Sequence, residues 1–503
     1  MLCLITLILS LGHSPATDAK AVGHDLITLA PTDQPFARYL SMYNIPPEQR
    51  EEYYLLMCFW LNSLSRARDI SRPWRIGDTL IRLDVRWYEW DLSDWEQLAA
   101  EEPYFLDGNT DPITIKGIKE ITKSIMPVVR ADFFLSRTVK APYYNLFLNL
   151  PKTVAELKAQ FVVQEDAVIH YDLDTWGAVL NSIVAHNNRQ LVRLPTIFGY
   201  YWFTLDAETS RDRQAVLDNL NGIKFDGSEI LGSLANKLQY GALSDKNGNL
   251  VDVVPTKIAV DTRTPYKFTD VVNYRSCAHC HPSGINTFSS VVQDAIKQQI
   301  LTLKSYDYEK AQRLERIWLT DIPRQIERDS SDFLAALKEC NGWGGEQNAA
   351  IFIKACHKYD EGRIDLVTAA RECGTTPERF EKVLRKEYRG TALILLSKPP
   401  VENTIARDAW ESIFSVVSLR VVEAGYGRDE IDESPPPKPA VPVEEMKNGK
   451  SDSGYGSWRV PLFDDLLSGN NEFLPGSSIV FLLLSAAYFR SCGTPGGSSG
   501  LWV

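Results

Sequence analysis

Residues 276–285 read Ser-Cys-Ala-His-Cys-His-Pro-Ser-Gly-Ile, and the chain changes character across them. Before this stretch, from Gly199 to Asp261, the texture is that of sheet. Tyr200, Tyr201, Trp202 and Phe203 are strand formers, and Asn247-Gly248 sits between two candidate strands as a tight hairpin turn. After it, apolar residues recur at helical spacing near 288–304, 308–319, 331–340, 347–358, 364–373 and 377–388. The expected fold class is therefore α+β: a mixed N-terminal region of strands and helices, a mainly helical C-terminal half, and the Cys-containing loop between them.

Farther upstream the reading is local. A Tyr- and Leu-rich stretch opening at residue 36 reads as helix, and Ile81, Leu83, Val85 and Trp87 alternate with Arg82, Asp84 and Arg86, the period of a half-buried strand. Ser93 with Glu96 and Thr153 with Glu156 fit capping boxes that start short helices. Pro127 stands at a plausible first helical turn, and Arg130 and Asp132 are too close in sequence to share a helix face, so each is expected to pair elsewhere. The boundaries expected from these textures are a leader over 1–21, an α+β region over 22–198, a hairpin and attachment segment over 199–330, a helical region over 331–425, a Pro-rich linker over 426–457 and a tail over 458–503.

The chemistry lies in Cys277, Cys280 and His281. Cys-x-x-Cys-His is the attachment signature of c-type haem. Two thiols two residues apart reach both vinyl groups of one haem edge, and the adjoining imidazole falls under the iron as proximal ligand. With 8 Cys and 7 His in 503 residues, chance would produce this pattern about 0.002 times. The competing readings are a redox thiol pair and half of a zinc site. No second Cys-x-x-Cys or close His pair completes a tetrahedral zinc set, and no thioredoxin-like βαβ pattern surrounds the motif. The cofactor expected is one covalent haem c, with His281 as the proximal iron ligand.

The sixth iron position stays open. Met126, His170, His186 and His357 are candidates, with Met42 and Met57 more remote, and each also reads as core or surface. A Met or His there would make an electron-transfer site, and an empty position would suit peroxide or small gases. Cys356-His357 ends a partial copy of the motif with Ile353 in place of the first Cys, and reads as structural helix. Residues 364–381 have the helix, Gly turn, helix texture of a DNA reader, but also that of a packed helical pair. The Tyr200–Phe203 run reads either as the wall of a haem crevice or as a core strand.

Composition narrows the class. With 44% apolar residues and 12 Trp, 21 Tyr and 20 Phe the chain is globular, and its net charge of -11 disfavours nucleic acid as a partner. Eight Cys exclude a dense disulfide framework, and outside residue 3 and the motif they leave an odd five. The apolar run over residues 1–12, with no Lys or Arg before it, is of signal-peptide length and points to export into the periplasm or beyond. The run over 479–489 is too short to span a membrane and reads as a packed helix or strand.

Several short blocks together resemble a family of large exported bacterial proteins with a single c-type haem motif, the cytochrome c domain proteins. They are Arg38–Asn44, Leu61–Ser65, Arg82–Arg86, Pro127–Phe134, Gly199–Trp202, Leu234–Tyr240, Ser276–Ile285 and the helical piece near Tyr359–Leu384. Ala235 and Lys237 stand where the family tends to have Pro and Gly, and His279 replaces a usual Ser or Asn. The resemblance implies haem c binding and electron transfer to a redox partner protein in an exported setting. It does not settle the reaction, so a peroxidase-type haem enzyme and a zinc or structural binding module remain alternatives.

Overall fold

The computed structural model describes residues 14–105, 110–165, 175–180, 188–207, 213–254, 270–360, 362–397 and 403–426. All of them belong to one compact unit spanning 1–440. The Pro-rich segment, the tail and its apolar run, His170 and His186 lie outside the described residues. Among the described residues helix makes up 49% and strand 18%, an α+β fold.

The described chain opens with α1 (Pro15–Leu26), whose first turn is capped by the Ser14 hydroxyl accepting from the Thr17 N–H at 3.2 Å. Ala19, Val22 and Leu26 are fully buried. Asp18, also buried, accepts from the Ser41 hydroxyl and, at 2.6 Å, from that of Thr79. The leader expected over 1–21 overlaps the first part of this helix, from Pro15 to Ala21. Residues 1–13 lie outside the described residues.

A four-stranded sheet follows, built from β1 (Ala37–Ser41), β2 (Trp74–Ile76), β3 (Leu80–Asp84) and β4 (Val128–Arg130) in the order β2-β3-β1-β4. β1 runs parallel to β4 and antiparallel to β3. The stretch expected as helix from residue 36 is therefore a central strand at 37–41, and helix begins only after Pro46-Pro47, as α2 (Arg50–Ser63). Pairing on both edges with every β1 residue buried overrides local propensity here. β3 stops at Asp84, three residues short of expectation, because Asp84 Oδ1 accepts from the Arg86 N–H at 2.9 Å and turns the chain into a 3₁₀ turn over Val85–Tyr88. The next helix, α3 (Leu92–Ala99), is capped two residues earlier than expected, by Asp91, whose N–H donates to Asp94 at 3.0 Å.

After α4 (Pro112–Thr122), strand β4 runs directly into α5 (Ala131–Thr138). Arg130 and Asp132 each find the separate partner expected, Glu372 at 3.0 Å and the Asn44 amide at 2.8 Å, but they also pair with each other, with Arg130 Nε donating to Asp132 Oδ1 at 2.9 Å. They straddle a strand–helix junction, so the helix-face argument does not apply. Then come α6 (Tyr143–Phe147) and α7 (Val154–Gln160), the latter with the Thr153/Glu156 capping box as expected.

The second sheet is a six-stranded antiparallel meander of β5 (Thr175–Val179), β6 (Arg189–Thr196), β7 (Gly199–Ala207), β8 (Phe225–Ser233), β9 (Gln239–Asp245) and β10 (Leu250–Val251), each beside its sequence neighbour. A short α8 (Arg213–Asp218) joins β7 to β8. The boundary placed at 198/199 falls inside the β6–β7 hairpin, where Thr196 pairs with Gly199. Asn247-Gly248 makes the β9–β10 turn, with Gly248 at φ +80°. A two-stranded ribbon, β11 (Val253–Val254) with β12 (Val271–Val272), leads to the motif.

The rest is helical: α9 (Arg275–Cys280), α10 (Val291–Lys297), α11 (Tyr308–Trp318), α12 (Ile322–Asn341), α13 (Gly345–Asp360), α14 (Leu366–Glu372), α15 (Pro377–Glu387) and α16 (Arg407–Glu423). α12 runs through the boundary placed at 330/331 and covers the large sheet. Its Asp329 accepts from Arg193 at 2.7 and 2.8 Å and from the Trp202 indole N–H at 2.8 Å. The last helices are locked onto the N-terminal region through buried Glu372, which faces Arg130 at 3.0 Å and accepts from Arg407 at 2.7 Å and from the Trp410 indole at 2.7 Å.

Candidate functional site

The Cys-x-x-Cys-His segment is a single helical turn, α9, with His281 as its C-cap. This replaces the loop expected from sequence. The turn is closed by Ala278 N–H to Tyr274 O at 3.1 Å and His281 N–H to Cys277 O at 2.9 Å. The Ser276 hydroxyl accepts from Val272 N–H at 3.0 Å, which ties the turn to β12. Beneath it Tyr274 stacks on Tyr144 with ring centroids 5.0 Å apart and planes 16° from parallel. The Tyr144 hydroxyl in turn accepts from the Gly241 N–H at 3.1 Å.

Gly241, in β9, is where the sheet meets the helix. A Cβ there would lie 2.8 Å from Cys277 Sγ and 3.2 Å from the Tyr274 ring, so only a glycine lets the strand come this close. Cys277 and Cys280 are 2% and 5% exposed. Burial, with Glu229 and Cys280 nearby, pushes the Cys277 thiol well above its ordinary range.

His281 is fixed at both ring nitrogens. Nδ1 lies 3.3 Å from the Gly284 carbonyl oxygen, and Nε2 lies 3.3 Å from Glu229 Oε1 on β8. Gly284 can hold this turn because it sits at φ +100°, and a Cβ there would lie 2.5 Å from Ser330 Oγ on α12. The Ser330 hydroxyl accepts from the Ile285 N–H at 3.1 Å, and the Asn286 amide donates to the Cys280 carbonyl at 3.0 Å, which together anchor the loop after the motif. Glu229 continues into a charged row. Arg189 donates to it at 3.3 Å and to both oxygens of Asp206 at 2.8 and 3.1 Å. Burial alone would raise the Glu229 carboxyl, but contact with His281 and Arg189 outweighs it and holds the group at about 2.

Two clefts meet at His281. One, a shallow cleft of about 50 Å³, opens toward the sheet and is lined by Arg189, Leu191, Trp202, Phe203, Thr204, Glu229, Leu231, His281 and Ile285. The other, of about 10 Å³, lies between α9 and the helical half, against Phe59, Phe333 and Phe352. Apolar and aromatic walls with a few convergent polar groups are the usual lining of a cofactor site, and a ligand imidazole steadied at Nδ1 by a backbone carbonyl is the usual outer arrangement of a metal-bound histidine. His281 lines both clefts and Cys277 and Cys280 line neither, so it is the donor set, two thiols and an imidazole on one turn, that is of the kind a covalent haem uses.

The other sequence candidates are elsewhere. Met42, Met57 and Met126 are core residues, and His357 lies on α13; none lines either cleft. Cys356 is buried within the same helix. The 364–381 segment is the packed pair α14 and α15, whose Glu372 is tied to Arg130 and Arg407. In the aromatic run, Tyr200 and Tyr201 are core while Trp202 and Phe203 also line the cleft. Among the described residues no group of three or more His, Cys, Asp or Glu is placed to hold a metal ion, and no disulfide is formed.

Sequence reasoning missed Glu229, Arg189, Asp206 and Gly241. Their only signal was a set of charged residues and a glycine inside otherwise apolar strands, which register alone brings beside the motif. No family model, no curated protein and no solved structure matches this chain.

Proposed function

We propose that the chain is a c-type cytochrome that carries one covalent haem for electron transfer in an exported setting. Cys277 and Cys280 would each add S–H across one vinyl group, with sulfur and hydrogen going to the two vinyl carbons, so that no oxidant is consumed. His281 would be the proximal ligand. The haem, once bound, supplies a one-electron iron couple. The observation that carries the reading is that both thiols lie on one helical turn that ends at His281, which lines two aromatic clefts, with no further Cys or His converging to complete a zinc set among the described residues.

Within this reading the chain's own residues have distinct tasks. The Gly284 carbonyl orients the imidazole, Trp202, Phe203, Leu191 and Leu231 exclude water, and Arg189, paired with Asp206 and Glu229, balances the carboxylate beside His281. Haem attachment of this kind takes place outside the cytoplasmic membrane, which agrees with the apolar N-terminal run. No helix among the described residues is long and apolar enough to cross a membrane.

One observation favours a peroxidase-type alternative with an open distal position: among the described residues, neither cleft is lined by a methionine or by a second histidine. The test is the pyridine haemochrome spectrum after expression with haem c maturation factors and acid–acetone extraction. A c-type spectrum that survives extraction is expected, and the native spin state then separates carrier from enzyme. A colourless protein would overturn the haem reading and send the question to zinc analysis.

A further inference from the structure

The nitrogen that a proximal histidine offers to iron is already engaged. Glu229 Oε1 lies 3.3 Å from His281 Nε2, in the place an iron on that nitrogen would occupy. This carboxylate is not a stray surface group. Glu229 sits in β8 with its N–H donating to the Thr204 hydroxyl at 2.9 Å, and its second oxygen receives Arg189 at 3.3 Å. Arg189 is itself held by both oxygens of Asp206. The four side chains are between 10% and 18% exposed. Of the other polar side chains lining this cleft, Thr204 belongs to the same strand pair, and the Trp202 indole N–H is turned to Asp329.

We propose that Glu229 is a positioning residue for the haem-free chain: it holds the His281 ring in its binding orientation and withdraws from Nε2 when haem is attached, keeping Arg189 as its partner. This rests on the haem reading above. The row Asp206–Arg189–Glu229 makes the arrangement workable, because the carboxylate that loses its imidazole partner remains paired and is not left as an isolated buried charge. A ring fixed at both nitrogens also loses no rotamer freedom on binding, which is the gain expected of preorganisation.

The test uses the full chain in two states. In haem-free protein made without maturation factors, the rate of His281 modification by diethyl pyrocarbonate is read by peptide mass spectrometry. Losing a charge-assisted contact should raise that rate about tenfold in Glu229→Ala. Glu229→Gln, which keeps an oxygen at the same place but loses its charge, should fall between the wild-type rate and that of Glu229→Ala. Ser228→Ala, which removes a β8 hydroxyl that has no hydrogen-bond partner, controls for general loosening of the strand pair and should leave it unchanged. With maturation factors present, Glu229→Ala should carry less covalent haem per chain than Glu229→Gln.

An unchanged His281 rate in Glu229→Ala, or an equal rise in Ser228→Ala, would overturn the positioning role. A wild-type chain that takes up no haem, yet shows the tenfold rise only in Glu229→Ala, would sink the haem reading while leaving Glu229 as the group that orients His281.

Discussion

Replacing Gly241 by alanine tests whether the close approach of β9 to the motif is needed for both fold and site. The added methyl would lie 2.8 Å from Cys277 Sγ, 3.1 Å from Cys277 Cβ and 3.2 Å from Tyr274 Cδ2. None of these is the far end of a flexible chain. Overpacking of this kind costs about 1–3 kcal/mol, and the lower entropy of the unfolded alanine chain returns about 0.4–1 kcal/mol. The expected net effect is a loss of about 1–2 kcal/mol, with Cys277 pushed away from the sheet and covalent haem yield reduced. Gly117, in α4, is the matched control: a Cβ there meets nothing within 4 Å, so Gly117→Ala should stabilise by about 0.5–1 kcal/mol. Urea unfolding of both variants, with haem content per chain, makes the comparison. Equal stability and equal haem content in Gly241→Ala and wild type would refute the reasoning.

Two further predictions concern how the helical half is fastened. Glu372→Gln removes the charge that faces Arg130 and Arg407 inside the core, and breaking one partner of a buried ionic cluster should cost about 3–5 kcal/mol in denaturant unfolding; a loss below about 1 kcal/mol would contradict the lock. Glu102, also buried, is raised by desolvation to about 7 against an ordinary 4.5, although the N–H groups of Tyr104 and Phe105 and the charge of Arg130 oppose the rise. Between these values the folded chain holds a proton that the unfolded chain has released, so its contribution is present at the acid end and roughly 3 kcal/mol is lost as pH climbs to about 7. Glu102→Gln should therefore gain stability relative to wild type between pH 4.5 and pH 8, and a difference that stays constant over that range would count against it.

What could be read from sequence depended on how local each signal was. The Thr153 capping box and the Asn247-Gly248 turn are each set by a few adjacent residues, and they stand where expected. The α+β class followed from the change of period around residue 280. Features fixed by tertiary pairing were not legible. Residues 37–41 became strand because β3 and β4 flank them, and Arg130 and Asp132 met because a strand gives way to a helix between them. Glu229 reaches His281 across 52 residues through sheet register alone, and Gly241 became critical only because Cys277 lies against it. The core helix over Pro15–Leu26 was hidden because a leader and a buried helix share the same small and apolar texture.

The most direct test of the central claim is the intact mass of the full chain produced with and without haem c maturation factors, followed by mapping of the peptide that holds Cys277 and Cys280. The account predicts a gain of one haem on that peptide, lost in Cys277→Ala/Cys280→Ala. An unmodified chain under both conditions, or a haem that dissociates on denaturation, would contradict it.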